Sequence, residues 1–133
     1  MSARDGCVLG GPLVLLRVEG AAVFVGAILM YAHLGLTWWV FVALILLPDA
    51  SMLGYFASAR TGAASYNAVH TVTAPVALLA AGFLFGSSLT LSLGAIWLAH
   101  IGLDRMLGYG LKYATGFANT HLGVLGKLQR NAL

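Results

Sequence analysis

Apolar residues run along most of the chain in four long stretches, each interrupted by a few polar or small residues. The first covers 12–31 (PLVLLRVEGAAVFVGAILMY) and the second 36–58 (LTWWVFVALILLPDASMLGYFAS); the third covers 65–86 and the fourth 89–109. A helix that crosses a bilayer needs roughly 20 mostly apolar residues, and each stretch meets that length. The connectors are short, AHLG, then ARTGAA, then SSLT or less. Connectors this short set each helix antiparallel to the one before it. The pattern therefore predicts an all-α fold, an antiparallel four-transmembrane-helix bundle in one integral membrane domain over 1–133. The more polar tail, 111–133, is expected to lie along the interface or to pack under the bundle.

Composition agrees with a lipid environment. Of 133 residues 60% are hydrophobic and 8% charged, against about a quarter charged in soluble domains. The length leaves room for one compact unit. Cys7 is the lone cysteine, which excludes an internal disulfide and a cysteine-only metal site. The first stretch lacks the basic leader and small-x-small site of a cleaved signal, so it is expected to be retained.

The charges add an orientation. Arg4, Arg17, Arg60, Arg105, Lys112, Lys127 and Arg130 are all the basic residues. With four spans they fall on one face, which the positive-inside bias makes cytoplasmic, together with both termini. That accounts for the net charge of +3 without a nucleic-acid partner, and no nucleic-acid module is present. Trp38 and Trp39 at one boundary and Tyr109 and Tyr113 at the other suit interfacial belts.

Against this background a few polar residues stand out. Glu19, Asp49, Asn67, His70, His100 and Asp104 come from all four stretches, and at 1.5 Å per residue they fall in a slab roughly 5–13 Å from the same face. Residues three or four apart share a helix face, which aligns His100 with Asp104 and Asn67 with His70. Arg17 and Glu19 are about 200° apart on a helix; the deeper Glu19 is expected to turn inward while Arg17 snorkels outward. Pro48 and Pro75 flank the layer, freeing the carbonyls of Leu44 and Thr71 for other partners.

Ionisable groups at membrane depth cost several kcal/mol and mark function. One reading is a divalent metal (zinc, iron or manganese) bound by His70, His100, Asp104 and Glu19, a nitrogen and oxygen donor set suited to these ions. Asp49 would then serve as general base, with Asn67 in the same pocket and Ser51 and Tyr55 as transition-state donors. The substrate would be an apolar or lipid-like small molecule entering between helices. His121, in the tail, would fold back as a further nitrogen ligand or rest at the interface. The other reading is a non-enzymatic membrane component: a haem or pigment protein with His70 and His100 as axial ligands, an accessory subunit of a larger complex, or a homo-oligomeric scaffold with a structural polar layer.

LRVEG (Leu16–Gly20), LPDASMLGY (Leu47–Tyr55), YNAVH (Tyr66–His70), HIGLDRMLGYGLKY (His100–Tyr113) and THLG (Thr120–Gly123) together resemble a small bacterial integral-membrane family of unknown function. The resemblance spans nearly the whole chain. It implies a four-helix protein of the bacterial inner membrane and carries over no catalytic residue.

Overall fold

The computed structural model describes residues 6–125. Helix α1 is Gly10–Leu34, and α2 (Trp38–Leu44) is followed by a 3-10 helix over Leu47–Phe56. Then come α3 (Ala59–His70), α4 (Thr73–Leu84) and α5 (Ser88–Leu107). A short antiparallel hairpin, β1 (Asn119–Thr120) with β2 (Gly123–Val124), closes the described chain, with Thr120 paired to Gly123. The helical pieces make four rods. Three of them, Gly10–Leu34, Trp38–Phe56 and Ala59–Leu84, are long and apolar enough to cross a membrane.

The fourth rod, α5, is the hub. It packs along α1 on one side and α4 on the other, and Ser92, Gly94, Ala95, Ala99, His100 and Gly102 are all buried on it. Close approach to α1 rests on two glycines: a Cβ on Gly102 would lie 2.6 Å from the Phe24 backbone nitrogen, and one on Gly20 would lie 2.5 Å from Arg105 Cβ. The same seam explains the buried residues of α1. Leu13, Gly20, Ala27 and Tyr31 recur at spacings of seven and four, the period of a helix pair in tight register. Large apolar side chains instead point away from neighbours; Leu29, Trp39, Phe83 and Phe85 are all exposed. Small residues at the contacts and large apolar ones outside is the arrangement of helices that pack in lipid.

The second and third rods both break, and both breaks fall at the polar layer. The sequence reading makes 36–58 one helix and starts the next at Ser65; the third rod instead starts at Ala59 because Ser58 caps it, its hydroxyl accepting from Thr61 N. Arg60 thus sits in a helical first turn rather than in a connector. Pro48 and Pro75 stand in the first turn of the 3-10 helix and of α4, where a missing N–H costs little. At the second break, between His70 and Thr73, the carbonyls of Val69 and His70 are met by side chains of α5. Trp97 Nε1 donates to Val69 O at 2.8 Å and Arg105 Nη2 to His70 O at 3.0 Å.

Ten residues of 3-10 helix are unusual, since runs beyond a few residues are rare and mark special sites. At three residues per turn, positions three apart eclipse, which gives this segment three faces. Leu47, Ala50, Leu53 and Phe56 are exposed, whereas the other positions are half-buried. Asp49, Met52 and Tyr55 form a second face, and Pro48, Ser51 and Gly54 a third that lies against α3, with Ser65 Oγ donating to Ser51 O.

The tail packs on the same end as α3 and the start of α1. Gly108 ends α5 in a left-handed turn (φ 91°), with Tyr109 N donating back to Asp104 O. Beyond it, Lys112 bridges to Thr120, and Val8 N donates to His121 O. Lys127 and Arg130 lie outside the described residues.

Candidate metal centre

His70 ends α3 at the second break, Asp49 sits on the 3-10 helix just past the first, and His100 and Asp104 lie one turn apart on α5. The folding of three rods brings them together. His70 Nε2 is 3.0 Å from His100 Nε2, 3.4 Å from Asp49 Oδ1 and 3.6 Å from Asp104 Oδ2. His100 Nε2 is 3.4 Å from Asp49 Oδ1 and 3.5 Å from Asp104 Oδ2. One donor atom from each residue thus lies within 4.8 Å of all the others, and the group could hold a metal ion. Metal bonds of about 2.0–2.2 Å to imidazole and carboxylate give a tetrahedron with edges of about 3.3–3.6 Å. Four of the five named separations fall in that range.

Hydrogen bonds around the group aim its donor atoms. His70 Nδ1 faces Tyr66 O at 2.9 Å, one helical turn back, so that nitrogen carries the proton and Nε2 presents a lone pair to the centre. The Tyr66 ring stacks on His70 at 3.7 Å between centroids, and its hydroxyl donates to Asp104 Oδ2 at 3.2 Å. Both imidazoles are buried; the Asp104 side chain is 14% exposed and that of Asp49 33%. The carboxylate side therefore opens outward, into a cleft of about 550 Å³ that Asp49, Asp104, Tyr66, Tyr109 and Lys112 line.

Lys112 enters this cleft from the tail. Its ammonium donates to Phe117 O at 2.9 Å and lies 3.5 Å over the Phe117 ring and 4.8 Å over that of Tyr66. Burial pushes its pKa below the usual lysine value, while the negative charges of Asp104 and Asp49 oppose the shift. Asn67 fixes this tail segment: its amide donates to Lys112 O at 2.8 Å and accepts from Lys112 N at 2.7 Å. Both ends of the Asn67 amide are therefore committed to the backbone rather than pointed at the centre.

Glu19 is not brought to the group. It is exposed, and Arg17 faces inward, donating to Met106 O at 2.9 Å. The expectation from depth is reversed because the seam of α1 is chosen by close packing at Leu13 and Gly20; Arg17 lies between them on that face, and Glu19 is turned about 100° away. Glu19 instead borders a small cavity with Arg105 and His121. His121 does fold back, but its Nδ1 accepts from Leu111 N at 2.9 Å, and burial together with the nearby Arg105 charge lowers its pKa. Ser51 Oγ is occupied by Pro48 O at 2.7 Å. The Tyr55 hydroxyl and His100 Nδ1 are buried without a hydrogen-bond partner among the described residues.

Tyr66, Trp97, Arg105 and Lys112 are the supporting residues that the sequence reading did not assign. Tyr66 was accessible from spacing, four residues before His70. Trp97 and Arg105 act through carbonyls exposed by a helix break, which spacing alone does not reveal.

The family described as a domain of unknown function, DUF4260, matches residues 13–125, an interval that holds every residue of the centre. The chain belongs to the DUF4260 family. No curated protein and no solved structure matches this DUF4260 chain.

Proposed function

We propose that this is an integral membrane protein of the bacterial inner membrane, an antiparallel four-span bundle with its basic end in the cytoplasm. Its centre carries out metal-assisted chemistry on an apolar or lipid-like substrate. The observation that supports the chemistry is the convergence of His70, His100, Asp104 and Asp49 at separations close to the edges of a metal tetrahedron. In this reading the two buried imidazoles and Asp104 are the permanent ligands. Asp49, the most exposed of the four and mounted on the 3-10 helix, would be the fourth donor and the carboxylate placed to take up a proton, while a bound ion would supply Lewis-acid chemistry. This makes Asp49 both the fourth ligand and the general base, and removes Glu19 from the ligand set.

A second reading has its own observation. The 3.0 Å between the two Nε2 atoms is also the length of a hydrogen bond, so the imidazoles can share a proton within a structural network of a non-enzymatic membrane component. Elemental analysis of detergent-purified protein, beside His100→Ala, separates the two. The metal reading expects near-stoichiometric zinc, iron or manganese that is lost in the variant, with the fold retained. Protein prepared without chelators and free of metal would leave the proton-sharing network.

A further inference from the structure

Two cavities flank the 3-10 helix that carries Asp49, and they differ in chemistry. The cleft on the carboxylate side is polar, with Asp49, Asp104 and Lys112 in its wall. On the opposite side lies a cavity of about 440 Å³ lined by Leu44, Pro48, Val69, Leu78, Ile96 and Trp97. Three of its lining residues are near neighbours of the centre in sequence: Pro48 precedes Asp49, Val69 precedes His70, and Ile96 is one turn before His100 on α5. The 3-10 helix contributes to both walls, for Pro48 and Ser51 line the apolar cavity while Asp49 and Met52 line the cleft. Both volumes fall in the roughly 300–1,000 Å³ range of small-molecule sites.

Charge then selects the polar part of the ligand. Asp49 and Asp104 bring two negative charges. Lys112 in the cleft wall and Arg105, bonded to the His70 carbonyl, bring two positive ones. These four charges balance, so a bound dication would leave an excess of about two positive charges at the centre. A phosphate monoester, at about −1.5 to −2 near neutral pH, matches that excess; an alcohol or a quaternary ammonium does not.

We infer that the ligand of this centre is a single-chain amphiphile with a phosphate-monoester head, its chain in the apolar cavity and its head between the metal and Lys112. The inference rests on the metal reading above and names the substrate class for the same site. Lys112 is the residue that recognises the head, and its aromatic surround of Phe117 and Tyr66 holds the ammonium in place.

Trp97 offers a direct readout, because it lines the apolar cavity and is the sole tryptophan once Trp38 and Trp39 are replaced by Phe. The Trp38→Phe, Trp39→Phe protein, in phosphatidylcholine nanodiscs and with its metal content measured, is titrated with 12-bromododecyl phosphate, 12-bromododecanol and 12-bromododecyltrimethylammonium. Entry of the chain is read as saturable quenching of Trp97 above the linear quenching given by brominated chains dissolved in the bilayer. The phosphate is expected to quench at least tenfold more tightly than either control, and chelation of the metal should abolish the difference. Lys112→Met should weaken the phosphate about tenfold while Lys112→Arg retains most of the affinity. If Lys112→Met does not fold, the comparison of head groups in the parent still decides.

Metal-loaded protein that quenches equally with all three heads, or with none, overturns this inference and leaves the metal reading intact. Protein that takes up no metal overturns both.

Discussion

The molecule has two packing centres, and they are built on opposite rules. Around Tyr31, the rings of Trp38 and Phe41 lie within 5.4 Å of one another and of Tyr31, against Ala95 and Ile96 of α5. The Tyr31 hydroxyl is satisfied within six residues, donating to Thr37 O at 2.7 Å. Around His70 and His100 the contacts join three rods, and the two Nε2 atoms face each other and the carboxylate oxygens of Asp49 and Asp104. The first centre is complete as it stands. The second gathers two lone-pair-bearing rings and two carboxylates, a set that gains most from a cation placed among them. Stability is expected to depend on the aromatic centre and ligand chemistry on the polar one.

The sharpest way to break that division is Tyr31→Ala. Removing a fully buried ring should cost about 3–5 kcal/mol of stability and leave the metal content per folded molecule unchanged, as read by thermal unfolding and elemental analysis on the same sample. Loss of metal from folded Tyr31→Ala protein would mean that the centres are coupled. Gly102→Ala tests the seam between them. Its new methyl meets the Phe24 backbone, so α1 must back away from α5 at a cost of about 1–3 kcal/mol; an unchanged unfolding midpoint would show that the contact is looser than described. Tyr66→Phe keeps the ring stacked on His70 and deletes only the donor to Asp104. It should weaken metal affinity about tenfold, at the low end for support residues around a metal, with little change in stability. Smallest of all, Glu19→Gln should change neither quantity, and a drop in metal content there would return Glu19 to the ligand set.

Much of the polar centre was legible before the structure. His100 and Asp104 at a spacing of four, and a histidine and a carboxylate on neighbouring stretches at similar depth, pointed to one pocket. The error at Glu19 shows the limit of depth as a guide: rotation about a helix axis is set by which side chains let the neighbour approach, and Gly20 decided it. The four helical rods were readable from hydropathy, but the breaks within two of them were not. Hydropathy sees composition over a window, whereas a break is decided by prolines in first turns and by side chains on another rod that donate to the exposed carbonyls. The exposed face Leu47, Ala50, Leu53, Phe56 repeats every three residues, a period that a hydropathy window does not distinguish from an α-helix.

That period makes the Leu47–Phe56 segment a screw. A 3-10 helix rises about 2.0 Å per residue at three residues per turn, and an α-helix 1.5 Å at 3.6. Rewinding these ten residues from one pitch to the other would shorten the segment by about 5 Å and turn Asp49 by about 120° relative to Tyr55. The carboxylate would leave the imidazoles, and the residues this helix gives to the walls of both cavities would rotate with it. Thread pitch in this one stretch would therefore decide whether Asp49 stays beside the two imidazoles.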